Sequence, residues 1–304
     1  MNSPYSQSSG NVRLIPSFVC YADILGYKTL SIKAIRNGNS IQFLSKLRSA
    51  LSSAYKRIRL NSQGFSDKDS VYSVKIFTDN IVVGYPLFRP MIDFGEAELC
   101  DIFSIFSEFQ TGLAMEGFFL RGGIAFGEHY MDDDIVFGKA FLEAHKQDKE
   151  GGPPRITLAP SAIEVVRKQL DKYGDASWTP QYNYLLEDTD GSIFLNYLDE
   201  AFKIFPEGGI LFDLVESHQK AIKEGLIINK GNAGIRAKYE WAARYHNFLC
   251  NEYIEIYPIS SNPDLDEEYG VACTEAQKLR NYLINIDSLA ATPSRLKLTP
   301  IKNK

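Results

Sequence analysis

The chain has 304 residues, of which 44% are hydrophobic and 23% charged, with a net charge of −5. That length holds a sizeable core as one large domain or two ordinary ones. The acidic balance supplies no basic face for nucleic acid in bulk, and no apolar run approaches the 18 or so residues of a membrane span.

The first ten residues are polar and Ser-rich and read as a loose tail without the regions of a signal peptide. Residues 14–24 read as a strand buried on both faces, ending in Asp23, with Gly26 three residues on. An Asp there is suited to hold a metal, but a helix cap or a turn uses the same residue. Residues 41–60 read as a helix, with Leu44, Leu47, Leu51, Tyr55 and Ile58 at helical spacing and Lys46, Arg48, Lys56 and Arg57 on the wet side. After a polar loop over 61–70, the runs 71–77 and 81–85 flank Thr78-Asp79-Asn80, which predicts a hairpin with Asp79 at its tip. Pro86 and Pro90 end the second strand.

Residues 97–115 are the clearest helix, with Leu99, Ile102, Phe103, Phe106, Phe109 and Leu113 forming a core stripe. Residues 117–126 read as a strand carrying Arg121, Gly122 and Gly123. A polar connection over 128–134 follows, and its Asp132-Asp133-Asp134 run reads as a turn, lacking the spaced ligands of a calcium loop. Residues 135–138 lead into a helix to about 149, then Gly151-Gly152-Pro153-Pro154 breaks the chain. A strand over 155–159 and a helix over 161–170 capped by Ser161 come next. Residues 209–224 and 232–253 read as helices, the second bearing Tyr239, Trp241, Tyr245 and Phe248 as packing or a subunit contact. From 288 on, prolines and lysines suggest a loose end. Cys20, Cys100, Cys250 and Cys273 are widely spaced and fit buried free thiols in a reducing compartment, with cytoplasm as the default.

The order strand, helix, hairpin, helix, strand argues for an α/β (α+β) sandwich of the ferredoxin-like type. Two acids at the ends of buried strands are what a divalent metal with hard oxygen preferences requires, and two such metals serve phosphoryl or nucleotidyl chemistry.

Four stretches together resemble the motifs of class III nucleotidyl cyclases. Tyr21-Ala22-Asp23-Ile24-Leu25-Gly26-Tyr27 resembles Phe-x-Asp-Ile-x-Gly-Phe, and Lys75-Ile76-Phe77-Thr78-Asp79 resembles Lys-x-x-Gly-Asp. Arg121-Gly122-Gly123-Ile124-Ala125-Phe126-Gly127 resembles Arg-x-Gly-Ile-x-x-Gly, and residues 138–146 stand where the family has Gly-Asp-x-Val-Asn-x-Ala-x-Arg. The resemblance covers roughly 12–150 and is nearest to the pyrimidine nucleotide cyclases of bacterial Pycsar antiphage systems.

It implies a catalytic domain over 11–175 and a mainly helical extension over 176–304. The implied activity converts UTP, or alternatively CTP, to the 3′,5′-cyclic nucleotide and pyrophosphate, a signal for a separate effector in phage defence. By the same resemblance Asp23 and Asp79 bind two Mn²⁺ or Mg²⁺ ions per site, aided by the Ile24 carbonyl. Tyr21 and Lys75 match nucleotide-contacting positions, and the active sites are composite, built across a homodimer. The departures are specific: Leu142 stands at the ribose-positioning Asn, Lys146 at the transition-state Arg and Ala140 near the purine-selecting acid. Arg121 and Lys146 are candidate phosphate partners, Arg121 being equally open to pairing with a nearby carboxylate. His129 and His145 have no partner that the pattern names. A purine cyclase and a non-catalytic dimerisation module are the rival readings.

Overall fold

A computed structural model describes residues 4–5, 12–61, 72–87, 95–148, 152–173, 175–179, 181–202, 209–258, 267–286 and 291–296. Its centre is the strand β1 (Ile15–Ile24), flanked on both sides by antiparallel neighbours. Successive side chains of a strand point to opposite faces, and both faces of β1 are covered. Phe18, Cys20, Ala22 and Ile24 enter one core, shared with the helices α2 (Ser40–Asn61) and α3 (Glu96–Met115). Val19 and Tyr21 enter a second core against Ala140 and Ala144 of α4 (Lys139–Lys146). The near-continuous apolar run of this strand is therefore a consequence of burial from two sides.

The strand β2 (Ser73–Phe77) pairs with β3 (Asn80–Pro86) across a two-residue turn, Thr78-Asp79, as the sequence predicts. The remaining neighbour of β1 is β4 (Leu120–Met131). β4 runs five residues beyond the expected end at 126, because Tyr130 and Met131 are buried and pair with β5 (Val136–Gly138). The expected polar connection shrinks to a turn in which the Asp132 carboxylate accepts the backbone N–H groups of Asp134 (2.9 Å) and Ile135 (2.7 Å). β6 (Ile156–Leu158) lies parallel to β4, and α5 (Pro160–Leu170) follows it.

The expected Ser161 cap is not formed. Ala159 holds the N-cap position with Pro160 in the first turn, and the Ser161 hydroxyl instead accepts the Phe126 N–H at 3.0 Å. All six apolar residues of the α3 stripe are buried. In α2, Leu47 is buried but Leu44 is 63% exposed, so the stripe starts a turn later than its spacing suggests. The helix α1 (Tyr27–Arg36) has no counterpart in the sequence reading; it fully buries only Ala34, with Tyr27 and Leu30 partly buried against the core.

Beyond α5, β7 (Leu185–Glu187), β8 (Ile193–Leu195) and β9 (Ser294–Arg295) extend the same sheet. Its order is β2-β3-β1-β4-β6-β8-β7-β9, with β5 beside β4. The C-terminal part is thus helical but also donates strands. Its helices are α6 (Phe212–Ile228), α7 (Ala233–Ile256) and α8 (Glu267–Lys278). The α7 aromatics pack internally: Trp241 donates to Asp188 at 2.7 Å and Tyr245 to Asn196 at 2.8 Å.

A directional chain of hydrogen bonds crosses this region. The His246 Nε2–H donates to the Tyr282 carbonyl (3.0 Å), which leaves its Nδ1 to accept from His218 Nδ1–H (3.0 Å). His218 Nε2 then accepts the Tyr197 hydroxyl at 2.9 Å. This assignment requires both rings to be neutral, and burial lowers both pKa values, that of His246 to about 4.

Two stretches read as loose are anchored in part. Tyr5 is buried, its hydroxyl donating to Ser17 at 3.0 Å. Arg295 forms a two-point ion pair with Glu252 (2.7 and 2.5 Å), and Leu296 is buried. The loop over 62–70, Pro90, the rest of the first ten residues apart from Pro4, and 297–304 lie outside the described residues. None of the four cysteines is in a disulfide, and three are buried. No helix among the described residues is long and apolar enough to cross a membrane.

Candidate active site

The site lies where β1 ends. In the sheet register Asp23 stands between Asn80 of β3 and Arg121 of β4. Cross-strand neighbours share a face, so these three side chains form a polar row across the strand ends. The next row inward is Lys75, Val82, Tyr21 and Gly123. Gly26 adopts φ +73°, which turns the chain off β1 into α1 directly after the row.

The hairpin tip is tied to this strand end: the Ile24 N–H donates to the Asp79 carbonyl at 3.2 Å. Thr78 takes φ +59°, a left-handed conformation that costs a β-branched residue about 1–2 kcal/mol. Its hydroxyl, with one proton to donate, lies 2.6 Å from the Phe77 carbonyl and 2.8 Å from the Asp79 carboxylate. The Tyr21 hydroxyl donates to the Asn80 carboxamide oxygen, which orients Asn80 between the two acids.

Arg121 grips Asp23 with two parallel bonds, Nε to Oδ1 and Nη2 to Oδ2, both 3.1 Å. Its Nε also stands 2.8 Å from Asp148 Oδ1. Of the two readings open for Arg121, the structure therefore places it on a carboxylate. Asp148 had no signal of its own in the sequence. It lies two residues beyond the last residue of α4 and three after His145, outside the helical pattern that the sequence offers. Burial and the Asp23 charge together raise the Asp148 pKa, with Arg121 opposing them.

The glycines explain the crowding. A Cβ on Gly122 would overlap the Tyr21 carbonyl oxygen and stand 2.8 Å from the Ala22 Cα. A Cβ on Gly123 would lie 2.5 Å from both the Ala144 carbonyl oxygen and the Gln147 Cβ. Gly122 thus lets β4 close on β1, and Gly123 lets the end of α4 close on β4.

The remaining candidates divide. Tyr21 is buried, with edge-on contacts to Phe141 (6.2 Å) and to His145 (4.7 Å), an exposed ring that sequence reasoning set aside. Lys75 lies on the same sheet face two strands away. Lys146 is not in the Asp23 cluster. It lines a groove with Lys139, Leu142 and Glu143 of α4 and Pro160, Ser161 and Glu164 of α5. His129 is fully buried with no hydrogen-bond partner on either ring nitrogen, and burial lowers it to about 4.

Among the described residues no group of three or more His, Cys, Asp or Glu side chains is arranged to hold a metal ion. The donors present are two carboxylates, Asp23 and Asp79, with backbone carbonyls between them. That all-oxygen set fits Mg²⁺ or Mn²⁺, which complete their shells with water and substrate phosphate. Arg121 already occupies both oxygens of Asp23, so a metal ion there would have to displace it. No protein-family model and no curated protein matches the chain.

Proposed function

We propose that the protein is a pyrimidine nucleotide cyclase of the class III type, converting UTP to 3′,5′-cyclic UMP and pyrophosphate. The observation that carries this reading is that the turn bearing Asp79 is tied to the end of the strand bearing Asp23. Each acid stands at the exit of a strand, and one backbone hydrogen bond makes the tie. The β-α-β-β-α-β order with strands arranged β2-β3-β1-β4 supports a ferredoxin-like cyclase domain, with the later helices as its extension.

In the reaction the ribose O3′ forms a bond to the α-phosphorus, the bond from that phosphorus to the bridging oxygen breaks, and the O3′ proton leaves to water. Two divalent ions, when bound, acidify the O3′ hydroxyl and neutralise the departing pyrophosphate. Asp23, the Ile24 carbonyl and Asp79 are the residues that would hold them. Thr78 and Asn80 stand within hydrogen-bond reach of the Asp79 carboxylate, while Arg121 fixes Asp23. Tyr21, braced by Phe141 and Asn80, is the side chain that would wall off a single pyrimidine ring and disfavour a purine. Lys75 lies in its row as a second nucleotide contact.

Lys146, outside the Asp23 cluster, fits a site shared by two copies of the chain in a homodimer. A second copy would bring its Lys146 to the triphosphate, where it supplies charge without the bidentate fork of Arg. The product would act as a signal read by a separate effector in the cytoplasm. A second reading, a non-catalytic binding module, is favoured by one observation. The two-point pair with Arg121 already neutralises Asp23 without any metal.

The test is incubation of the purified chain with all four ribonucleoside triphosphates and Mn²⁺, products identified by mass spectrometry. Cyclic UMP is expected, and Asp79→Ala is expected to lower its rate about 100-fold or more, since an ion loses its carboxylate. Cyclic CMP would change the base, a purine product would discard the pyrimidine assignment, and no cyclic product from folded dimer would favour the module.

A further inference from the structure

Arg121 is shared between two carboxylates. Its Nε lies 3.1 Å from Asp23 Oδ1 and 2.8 Å from Asp148 Oδ1, and the Arg121, Asp23 and Asp148 side chains are only 19%, 14% and 10% exposed. One cation between two half-buried anions leaves the cluster a unit of negative charge in excess. A guanidinium carries five donors in a flat fork, so it can turn from one carboxylate to the other and keep an ion pair throughout.

We propose that Arg121 is the resting counter-cation of Asp23, and that Asp148 is the acceptor onto which it withdraws when a divalent cation takes Asp23. The inference rests on the metal reading of Asp23 given above. Asp148 is then a positioning residue that acts through Arg121.

The argument is one of charge. A dication approaching Asp23 meets a guanidinium bonded to both carboxylate oxygens, and the two cations repel. Without a second acceptor, Arg121 would have to give up its two charge-assisted bonds while partly buried, which is costly. With Asp148 at 2.8 Å, the withdrawal exchanges one carboxylate for another. The acceptor is held in place by the fold. Gly123 lets the end of α4 lie against β4, and the Asp148 N–H donates to the His145 carbonyl at 3.0 Å. His145 and Lys238 are the other basic groups that Asp148 feels.

The test uses the full chain and Mn²⁺ alone, with the free ion counted by electron paramagnetic resonance, so no turnover is needed. Asp23→Asn is expected to remove the tightest site. Asp148→Asn is expected to weaken that site about tenfold while Arg121 is present, and less than about twofold in an Arg121→Gln background. Asp148→Glu, which keeps the acceptor, is expected to stay within about threefold of the parent and covers the case in which Asp148→Asn does not fold. An equal loss from Asp148→Asn in both backgrounds would overturn the proposal, because Asp148 would then be only a fixed charge near the ion. Mn²⁺ binding indifferent to Asp23→Asn would overturn the metal reading itself, and the two failures look different in the same titration.

Discussion

Gly122→Ala is expected to cost about 3 kcal/mol of folding stability or more, enough to leave little folded chain. Gly122 pairs with Ala22 across the two central strands, and its N–H donates to the Arg155 carbonyl at 3.1 Å. The atoms a methyl would strike are the Tyr21 carbonyl oxygen and the Ala22 Cα, both backbone. A flexible side chain could step aside, but a strand paired on both edges cannot do so without losing its register. Gly112 is the control: it lies within α3, and a Cβ there meets nothing within 4 Å. Gly112→Ala is expected to stabilise by about 0.5–1 kcal/mol, because alanine is the better helix former. Urea unfolding of the two variants beside the parent measures both. A Gly122→Ala midpoint close to the parent's would mean that β1 and β4 are not packed at this distance.

Acid is expected to unfold the protein through its buried histidines. Burial lowers His129 and His246 to about 4, and holds His218 well below its usual value, its neighbour His246 adding to the effect. The unfolded chain takes up these protons near pH 6.5, and the folded chain does not. Stability is therefore level above about pH 7 and falls as pH drops from 6.5 toward 4, by about 2 kcal/mol for each of His129 and His246 by pH 5. Asp101 and Asp148 act in the opposite sense, their folded pKa values being raised mainly by burial. Urea midpoints between pH 7 and 5 measure the slope. His129→Phe, in a site without hydrogen bonds to lose, is expected to flatten it. A stability that does not change over this range would show that the three rings take up protons in the folded state.

The sequence was informative where one residue type has one use. The strand through Asp23, the hairpin with Asp79 at its tip and the α3 stripe all follow from period and turn chemistry, and each stands where the pattern puts it. Boundaries slipped where tertiary pairing decides. β4 continues through polar Glu128 and His129 because β5 covers it, and no local preference announces that. α1 is missed because it fully buries only one alanine. In the candidate site, Asp23, Asp79, Tyr21 and Arg121 come together because three of them mark the central strands and the fourth a tight turn. Asp148 enters from a helix end, and its contact with Arg121 exists only because two glycines remove the atoms that would block it. That is a three-dimensional fact with no one-dimensional signature. Lys146 illustrates the converse, since a matching position in the sequence does not put its side chain into the Asp23 cluster.

The path of the sheet has a consequence for how the chain is made. Leu186 pairs with Arg295, and the core behind β1 is completed by Leu185, Ile193, Leu195 and Leu296. During synthesis the strands up to β6 emerge first, with the free edge of β6 and that core still uncovered. Contacts between distant parts of a chain form slowly, and an open edge invites pairing with another chain. The first 175 residues are thus poorly suited to fold as a free-standing fragment. Their partly formed sheet has to be shielded until β7, β8 and the short β9 arrive to close it.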